Sequence, residues 1–258
     1  ATQSRLRRSL TGACGVMRVS LQPAYLLHSR PYRDSSLLLD MFTAEHGRVS
    51  LIGRGAQRRS RGGSQAALLQ PFRPLLVSFA GRAEQKPLLA VEAAGALPGL
   101  RAERLFSGLY LNELLVRLLQ RHDPQQPLFA LYGATLECLA TKPVVDADLR
   151  RFEFGLLDAL GYGFDPAHDG HSGLPVAQNG WYQYQAEFGL VACDTAAVAS
   201  GARFAGGDLL GIAAGHYEGE YGAAAKRLLR QALASHLGER PLHSRELFRQ
   251  FRNAGRQQ

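Results

Sequence analysis

Short apolar runs, separated by glycine, proline or charged residues, occupy the first hundred positions of the chain. Five of these runs have the length and composition of β-strands, and they cover residues 21–30, 35–43, 48–53, 69–79 and 87–93. Gly47 closes a turn after the second run because it can adopt a positive φ, whereas Pro71 and Pro74 demote part of the fourth run to an edge or bent strand. The pattern predicts a small five-stranded barrel of the OB type.

Beyond residue 98 the apolar positions follow the 3.6-residue period of helices. Helices are predicted over residues 103–121, 127–140, 146–160, 219–237 and 244–252. Asp146 and Ser244 are the expected N-caps of the third and fifth helices, and Gly161 is the expected stop of the third. A glycine-rich segment separates the third helix from the fourth, and it contains short predicted strands at 181–185 and 188–193.

The expected fold class is therefore α+β: an N-terminal OB-fold β-barrel followed by a mainly α-helical domain with a small irregular and β-stranded insert. We expect a basic flexible arm over residues 1–20, the barrel over 21–97, the helical domain over 98–252 with its insert at about 161–195, and a tail over 253–258. No apolar stretch reaches the length of a membrane span.

The net charge of +8 comes almost entirely from arginine, which supplies 27 of the 30 basic residues. A GC-rich genome explains the composition equally well, so the distribution of charge has to decide. No acidic residue occurs from position 46 to position 83, and the glycine-rich loop 53–64 in this interval carries several arginines. Such a loop repels itself unless an external anion neutralises it, and guanidinium groups pair with phosphate in a bidentate manner.

We therefore predict that the barrel binds nucleic acid phosphates without sequence preference. A solvated surface loop is the alternative. The predicted contacts are Arg30, Arg33, Arg48, Arg54, Arg58, Arg59 and Arg61, and Tyr32 is the aromatic residue predicted to stack on a base. Asp34, Asp40 and Glu45 are expected to form turns or ion pairs with Arg30 and Arg33.

Motifs of enzymes and metal sites are missing from the sequence. No Gly-Lys-Ser/Thr follows the glycines at 206–207, and no G-x-S-x-G elbow occurs. Three cysteines without a CxxC pair fit a reducing compartment and make a cysteine-based zinc site improbable. His168 and His171, near Asp165 and Asp169, are interpreted as solvated loop residues and not as metal ligands. We expect no catalytic residue, metal or cofactor.

A set of short motifs in one collinear order resembles the RecO family of bacterial recombination mediators. The motifs are LHSRPY at 27–32, SSLLLDMFT at 35–43, GRV at 47–49, GRGA at 53–56, LQPF at 69–72, SGLYLNELL at 107–115, LRRFE at 149–153, LGYG at 160–163 and SRELFRQF at 244–251. Each motif alone is weak, but the ordered set is specific. The insert departs from members that carry a four-cysteine zinc site, since Cys193 is its only cysteine.

This resemblance implies binding of single- and double-stranded DNA, annealing of complementary strands, and loading of RecA onto strands coated by the single-stranded DNA-binding protein. The implied partners are RecR, the acidic, Phe-ending tail of the coating protein and, in many bacteria, RecF; the implied location is the cytoplasm, near the nucleoid. We expect Arg150 and Arg151 to bind the tail, although pairing with Glu153 or Asp146 is equally open. The competing functions are an adaptor for acidic protein tails and a metal-dependent nuclease.

Overall fold

The computed structural model describes residues 18–33, 35–56, 65–194 and 203–254. Five strands form a closed barrel in the order β1-β2-β3-β5-β4, in which β4 returns to pair with β1. The strands are β1 (Arg18–Tyr32), β2 (Ser36–Thr43), β3 (Gly47–Gly53), β4 (Leu75–Ala80) and β5 (Gln85–Ala93). Only β3 and β5 pair in parallel. The OB-like barrel predicted from the sequence is confirmed.

Alternate residues of the strands point into the barrel because successive side chains of a strand face opposite sides. Leu39 and Met41 of β2, and Val49 and Leu51 of β3, are almost completely buried in this interior. The turn between these strands contains Gly47 with a φ of 61°, as predicted. A closed apolar interior leaves the outer face, the open ends and the loops for function.

The prediction for the fourth strand is wrong in its first half. The strand begins at Leu75 and not at residue 69, and a single helical turn, α1 (Gln65–Leu68), precedes it. Phe72 is buried and has a φ of 72°, which is incompatible with an extended strand. Pro71 and Pro74 lack the backbone N–H that a strand would need for its ladder. The apolar run is therefore a buried turn followed by a short strand.

The helical region follows the barrel. Its helices are α2 (Glu103–Leu118), α3 (Gln126–Thr141), α4 (Asp146–Ala159), α5 (Gly206–Ala213), α6 (Gly219–Leu237) and α7 (His243–Ala254). The five predicted helices are confirmed, and Gly161 follows α4 with a φ of 77°. Helix α5 was not predicted because its two leading glycines disfavour a helix. Leu209 and Ile212 hold it in a core shared with α6.

Both predicted N-caps are wrong. Val145 precedes α4, and Asp146 already lies in the first turn of that helix. Helix α7 begins at His243, so Ser244 lies inside it, and the Ser244 hydroxyl donates to the carboxylate of Glu113 in α2 at 2.6 Å. The backbone N–H groups of His243 and Ser244 donate to the same carboxylate, at 2.8 and 2.9 Å. Another helix therefore satisfies the free N–H groups at the start of α7.

A small sheet lies between α4 and α5. Its order is β7-β6-β8, with β6 (Trp181–Gln185), β7 (Gly189–Ala192) and β8 (Arg203–Ala205). The first two strands match the predicted ones, whereas β8 is too short to show a period. Tyr182 and Tyr184 pack in the core shared with α6, but Trp181 and Phe188 are largely exposed.

The helices cover part of the outer face of the barrel. Leu27 of β1 and Phe42 of β2 belong to one apolar core with α2, α3 and α4. Asn112 of α2 is buried in this junction, where its side-chain amide donates to the carbonyl of Leu27 at 3.0 Å and its oxygen accepts from the Tyr132 hydroxyl at 2.6 Å. At this junction the barrel and the helices are thus joined by apolar packing around a buried polar link.

Candidate nucleic-acid interface

The outer face of the barrel is open at the end where β1 turns into β2. Arg30 pairs in register with Leu38 of β2, which pairs with Ile52 of β3. Side chains two residues apart on a strand share a face, so Tyr32 follows Arg30 on this face. Arg54 continues the course of β3 beyond Ile52. Since neighbouring strands lie about 4.8 Å apart, these residues share a patch roughly 10 Å wide.

Arg33 extends this patch from the turn after β1. Its guanidinium carbon lies 5.2 Å from the centroid of the Tyr32 ring. Arg30, Arg33 and Arg54 are exposed, and Tyr32 is half-buried. Within the described residues, none of these three arginines forms an ion pair. We name these four residues the barrel rim. It combines free cations with an aromatic face, the two groups that bind phosphates and bases.

Arg58, Arg59 and Arg61, three further predicted contacts, lie in the segment 57–64, outside the described residues. The two ends of this segment meet, because the N–H of Ala66 donates to the carbonyl of Ala56 at 3.1 Å. Ala56 follows Arg54 by two residues. The described residues on either side of the segment therefore lie together, close to Arg54 in the chain.

Arg48 lies elsewhere, on the part of β3 that faces the helices. Its guanidinium is 3.2 Å from Asp40 and donates to the carbonyl of Val116 in α2 at 2.5 Å. The expected pairing of Asp40 with Arg30 or Arg33 is therefore wrong. Arg48 joins the barrel to the end of α2, and we do not include it in the rim.

A groove of about 910 Å³ lies between α2, α4, α6 and α7. We name it the helical groove. Its basic side chains are Arg104, Arg150, Lys226, Arg230, Arg245, Arg249 and Arg252. Its acidic side chains are Glu103, Asp146 and Glu153, and its apolar ones include Phe106, Tyr110, Val144, Leu149 and Phe248. An apolar floor beneath excess positive charge suits an anionic segment that also carries a large apolar side chain.

A buried ion pair lies at the base of the helical groove. Arg150 is 2.8 Å from Oε1 of Glu153, and the same oxygen accepts from the Tyr110 hydroxyl at 2.7 Å. Burial raises the pKa of Glu153, and this effect outweighs the opposing attraction of Arg150. Nε of Arg150 and Oε2 of Glu153 are buried without a hydrogen-bond partner among the described residues. Arg150 was predicted either to bind the tail or to pair with Glu153 or Asp146. It pairs with Glu153, and its side chain also lines the helical groove.

Arg151 points away from the helical groove. Its guanidinium lies 3.4 Å from Asp148 and over the ring of Tyr217, 5.6 Å from the ring centroid. The two neighbouring arginines therefore face different surroundings, as adjacent residues of a helix do.

Sequence reasoning missed the groove residues of the last helix. Arg245, Arg249 and Arg252 are spaced by four and three residues, which places them on one face of α7. Arg245 also lies over the ring of Tyr110, at 5.4 Å from its centroid. The spacing was visible in the sequence, but only the fold shows that this face meets α2 and α4.

The acidic and histidine-rich loop of the insert is held by its own hydrogen bonds. Asp169 is buried, and hydrogen bonds from the N–H groups of Ser172, Ala192 and His171 lower its pKa to about 2. The interpretation of Asp169 as a solvated residue is therefore wrong. His168 contacts Asp165 at 2.7 Å. Across the described ranges, no three His, Cys, Asp or Glu side chains are grouped to hold a metal ion.

Comparison with known proteins gives two family models, described as Recombination protein O N terminal and Recombination protein O C terminal, which match residues 17–94 and 100–246. The chain belongs to the RecO family. It is similar to the DNA repair protein RecO of Nitrosococcus oceani, at 43% identity over 240 residues, which is 93% of this chain and 96% of that protein. The same named protein of Methylococcus capsulatus is 45% identical over 233 residues, covering 90% and 94%. That of Pseudomonas aeruginosa strain PAO1 is 46% identical over 228 residues, covering 88% and 94%.

Membership of the RecO family identifies a DNA repair protein that acts as a recombination mediator and not as an enzyme. The barrel rim lies within the N-terminal match. The α2, α4 and α6 walls of the helical groove lie within the C-terminal match, which ends in α7. None of the helices in the described part of this RecO-family chain has both the length and the apolar character needed to cross a membrane.

Proposed function

We propose that this RecO-family chain binds single- and double-stranded DNA without sequence preference, anneals complementary strands and helps to load RecA onto coated single strands. The observation that carries the proposal is the barrel rim. There, Arg30, Arg33 and Arg54 are exposed beside Tyr32 and form no ion pair with another described residue. Unpaired guanidinium groups on neighbouring strand ends suit the regularly spaced phosphates of a nucleic acid.

Annealing follows from the same electrostatics. Two single strands repel each other through their phosphates, and a cationic surface that holds both of them lowers this repulsion. The segment 57–64 contains three further arginines, and the described residues on either side of it, Ala56 and Ala66, meet close to Arg54 in the chain. Tyr32 offers a ring on which an unpaired base can stack without regard to sequence.

The helical groove is the proposed site for the tail of the single-stranded DNA-binding protein. An acidic tail that ends in Phe needs cations for its carboxylates and an apolar pocket for its ring. The groove offers both, with Arg230 and Arg249 among its exposed cations and Phe106 and Phe248 among its apolar residues. RecR, RecF and RecA are further proposed partners, and the family resemblance alone supports them.

The rim is tested by the salt dependence of DNA binding. Replacement of Arg30, Arg33 and Arg54 by Ala should reduce the slope of log K against log salt by about two to three units, since each lost phosphate contact removes about one unit. Fluorescence anisotropy with a labelled oligonucleotide measures the slope. Arg101→Ala with Arg240→Ala is the control, because both residues are exposed and lie outside the rim and the groove. An unchanged slope in the rim variant removes the rim from the interface.

A protein-interaction adaptor is the second candidate function, and the helical groove is the observation that favours it. An adaptor would bind an acidic peptide but would not bind a naked oligonucleotide. Anisotropy at low salt with the unmodified chain therefore separates the two functions before any variant is made.

A further inference from the structure

The open end of the barrel where β3 begins contains a cleft of about 360 Å³. We name it the barrel mouth. Val49 and Phe79 form its apolar floor, and the residues around them include His46, Arg82, Lys86 and His122. His46 comes from the turn between β2 and β3, Arg82 from the turn between β4 and β5, and His122 from the loop between α2 and α3. Three separate segments thus bring basic side chains to one cleft.

Lys86 is the unusual group in this cleft. It is the second residue of β5, and it is only 4% exposed. A lysine usually buries its stem and leaves its ammonium group in water; here the ammonium group lies in the cleft, where it is partly shielded from bulk water. Its Nζ lies 3.4 Å from Nε2 of His122, and no carboxylate of a described residue lies within ion-pair distance of it. Among the described residues, no carboxylate therefore pairs directly with this ammonium group, and Glu84 acts on it only from beyond ion-pair distance.

Two acidic side chains lie near the mouth, and one of them is paired with an arginine. Glu84 pairs with Arg121 at 2.5 Å. Glu45, which faces the cleft, accepts from the side-chain amide of Gln22 at 3.2 Å. Burial lowers the pKa of Lys86, with Glu84 only partly opposing it. Burial also lowers the pKa of His122, and the positive charges of Lys86 and Arg121 lower it further, with a smaller contribution from His46 and opposition from Glu84. Among the described residues that line the mouth, Arg82 and Lys86 are cations and Glu45 is the one carboxylate, so the lining carries a net positive charge.

The mouth is also held in a fixed shape. His122 has a φ of 62°, an unfavourable conformation for a residue with a side chain, and its N–H donates to the carbonyl of Arg48 at 3.0 Å. A Cβ on Gly47 would meet the backbone of Asp123 at 2.0 Å, so the loop between α2 and α3 lies directly against the start of β3. Residues kept in strained conformations by their surroundings are common at binding sites.

We propose that the barrel mouth binds a phosphate oxyanion through Lys86, His122 and Arg82. A tetrahedral oxyanion has enough oxygens to accept from all three groups at once, whereas a carboxylate has two. Its source is either a phosphodiester of DNA or free inorganic phosphate. The mouth is distinct from the barrel rim, because His46 and Arg54 lie at opposite ends of β3, which separates them by roughly 25 Å. The proposal therefore goes beyond the function proposed for the rim.

Lysine labelling makes the site directly observable. The chain contains only Lys86, Lys142 and Lys226, so a protein labelled with 13C,15N-lysine gives three side-chain signals. Inorganic phosphate, added at constant ionic strength against chloride, should shift the Lys86 signal in a saturable manner. The Lys86 titration midpoint should also move upwards, because a bound anion favours the charged form. Lys142, which pairs with Asp148 on the surface, is the internal reference.

Lys86→Met tests the same site by thermal unfolding. The variant keeps an apolar stem and removes a partly buried charge that no described carboxylate pairs with, so in chloride it should unfold at a higher temperature than the parent chain. Phosphate should raise the unfolding temperature of the parent and of Lys142→Met, and should leave that of Lys86→Met unchanged. In the NMR titration, Arg82→Ala should weaken phosphate binding by about tenfold, which corresponds to one charged hydrogen bond.

The source of the phosphate is decided in a variant that lacks Arg30, Arg33 and Arg54, so that the result does not depend on whether the rim binds DNA. If a short oligothymidylate shifts the NMR signal of Lys86, the mouth binds backbone phosphate. If inorganic phosphate alone shifts that signal, the mouth binds the free anion. The proposal is overturned if neither ligand shifts Lys86, if acetate at the same ionic strength shifts it equally, or if phosphate stabilises Lys86→Met as much as the parent.

Discussion

The carboxylate of Glu113 holds the start of α7 to α2, and a single residue thereby closes one side of the helical groove. It accepts three hydrogen bonds, from the N–H of His243 and from the N–H and hydroxyl of Ser244. Arg117 lies 3.9 Å away on the same helix. Burial alone would raise the pKa of Glu113, but the hydrogen bonds from Ser244 and His243 outweigh it, and the pKa is lowered.

Replacement of Glu113 by Gln should therefore destabilise the protein in a pH-dependent manner. Because the folded-state pKa lies below the ordinary value of 4.5, the contribution of Glu113 is complete above that value and is lost as pH falls through the folded-state pKa. The variant should lose about 1–2 kcal/mol of unfolding free energy near neutral pH, and less in acid. Urea unfolding at about pH 7 and about pH 3 measures this. Glu246→Gln on α7 is the control, and an equal loss at both pH values contradicts the explanation.

Arg48 shows what sequence reasoning cannot establish about one charge. It was assigned to the DNA-binding set because no acidic residue lies near it on its C-terminal side. The register of β2 with β3 instead places Asp40 directly beside it, and the end of α2 supplies carbonyl groups. Arg54 was assigned on the same grounds, yet no described acidic residue pairs with it. A stretch of sequence without acidic residues therefore indicates unpaired arginines only where no neighbouring strand supplies a carboxylate.

Elements with a regular period were predictable, and those without one were not. Helices α2, α3, α4 and α6 bury one face each, so their apolar positions recur every three or four residues. Helix α5 and strand β8 are short, and they form because they complete a core with α6. The start of β4 was misplaced because the buried turn before it is as apolar as the strand. Tertiary packing, absent from local patterns, decides these three cases.

The polar link between α2, α3 and β1 offers a test of how the elements are joined. Asn112→Ala removes the donor to the Leu27 carbonyl and the acceptor of the Tyr132 hydroxyl, both in a buried junction. The loss should be about 2–4 kcal/mol of unfolding free energy, since two buried groups lose their partner. Tyr132→Phe should cost less, and in the double variant the two losses should not add. Chemical denaturation measures all three variants.

Ser107→Ala serves as the control for this link, because its hydroxyl donates to a carbonyl on the exposed side of α2. It should change stability by no more than about 0.5 kcal/mol. Fully additive losses for Asn112 and Tyr132 would show that the two side chains do not act as one link.

At the scale of the molecule, the helices determine which part of the barrel is available. The sequence predicted both the barrel and the helices, but not that Leu27, Phe42 and Arg48 would be covered by them. An OB-type barrel can bind across a whole face, and here the covered part leaves the rim. The helical groove was equally hidden, since it is formed by four helices spread over residues 103–254. Arg150 and Arg151 were both predicted to bind the tail, on the strength of the family resemblance, and of the two Arg150 lines the groove.

Separate sites on the barrel and on the helices predict that DNA binding and tail binding can be removed independently. Arg230→Ala with Arg249→Ala removes two exposed cations of the helical groove. This double variant should bind an acidic peptide ending in Phe about tenfold more weakly than the parent chain does. This variant should still anneal naked strands, but should lose annealing of strands coated with the single-stranded DNA-binding protein. The rim variant lacking Arg30, Arg33 and Arg54 should bind the peptide normally and anneal neither substrate. Arg101→Ala with Arg240→Ala controls for lost charge. If both variants lose both activities equally, one continuous surface serves DNA and tail, and the division of labour between barrel and helices is wrong.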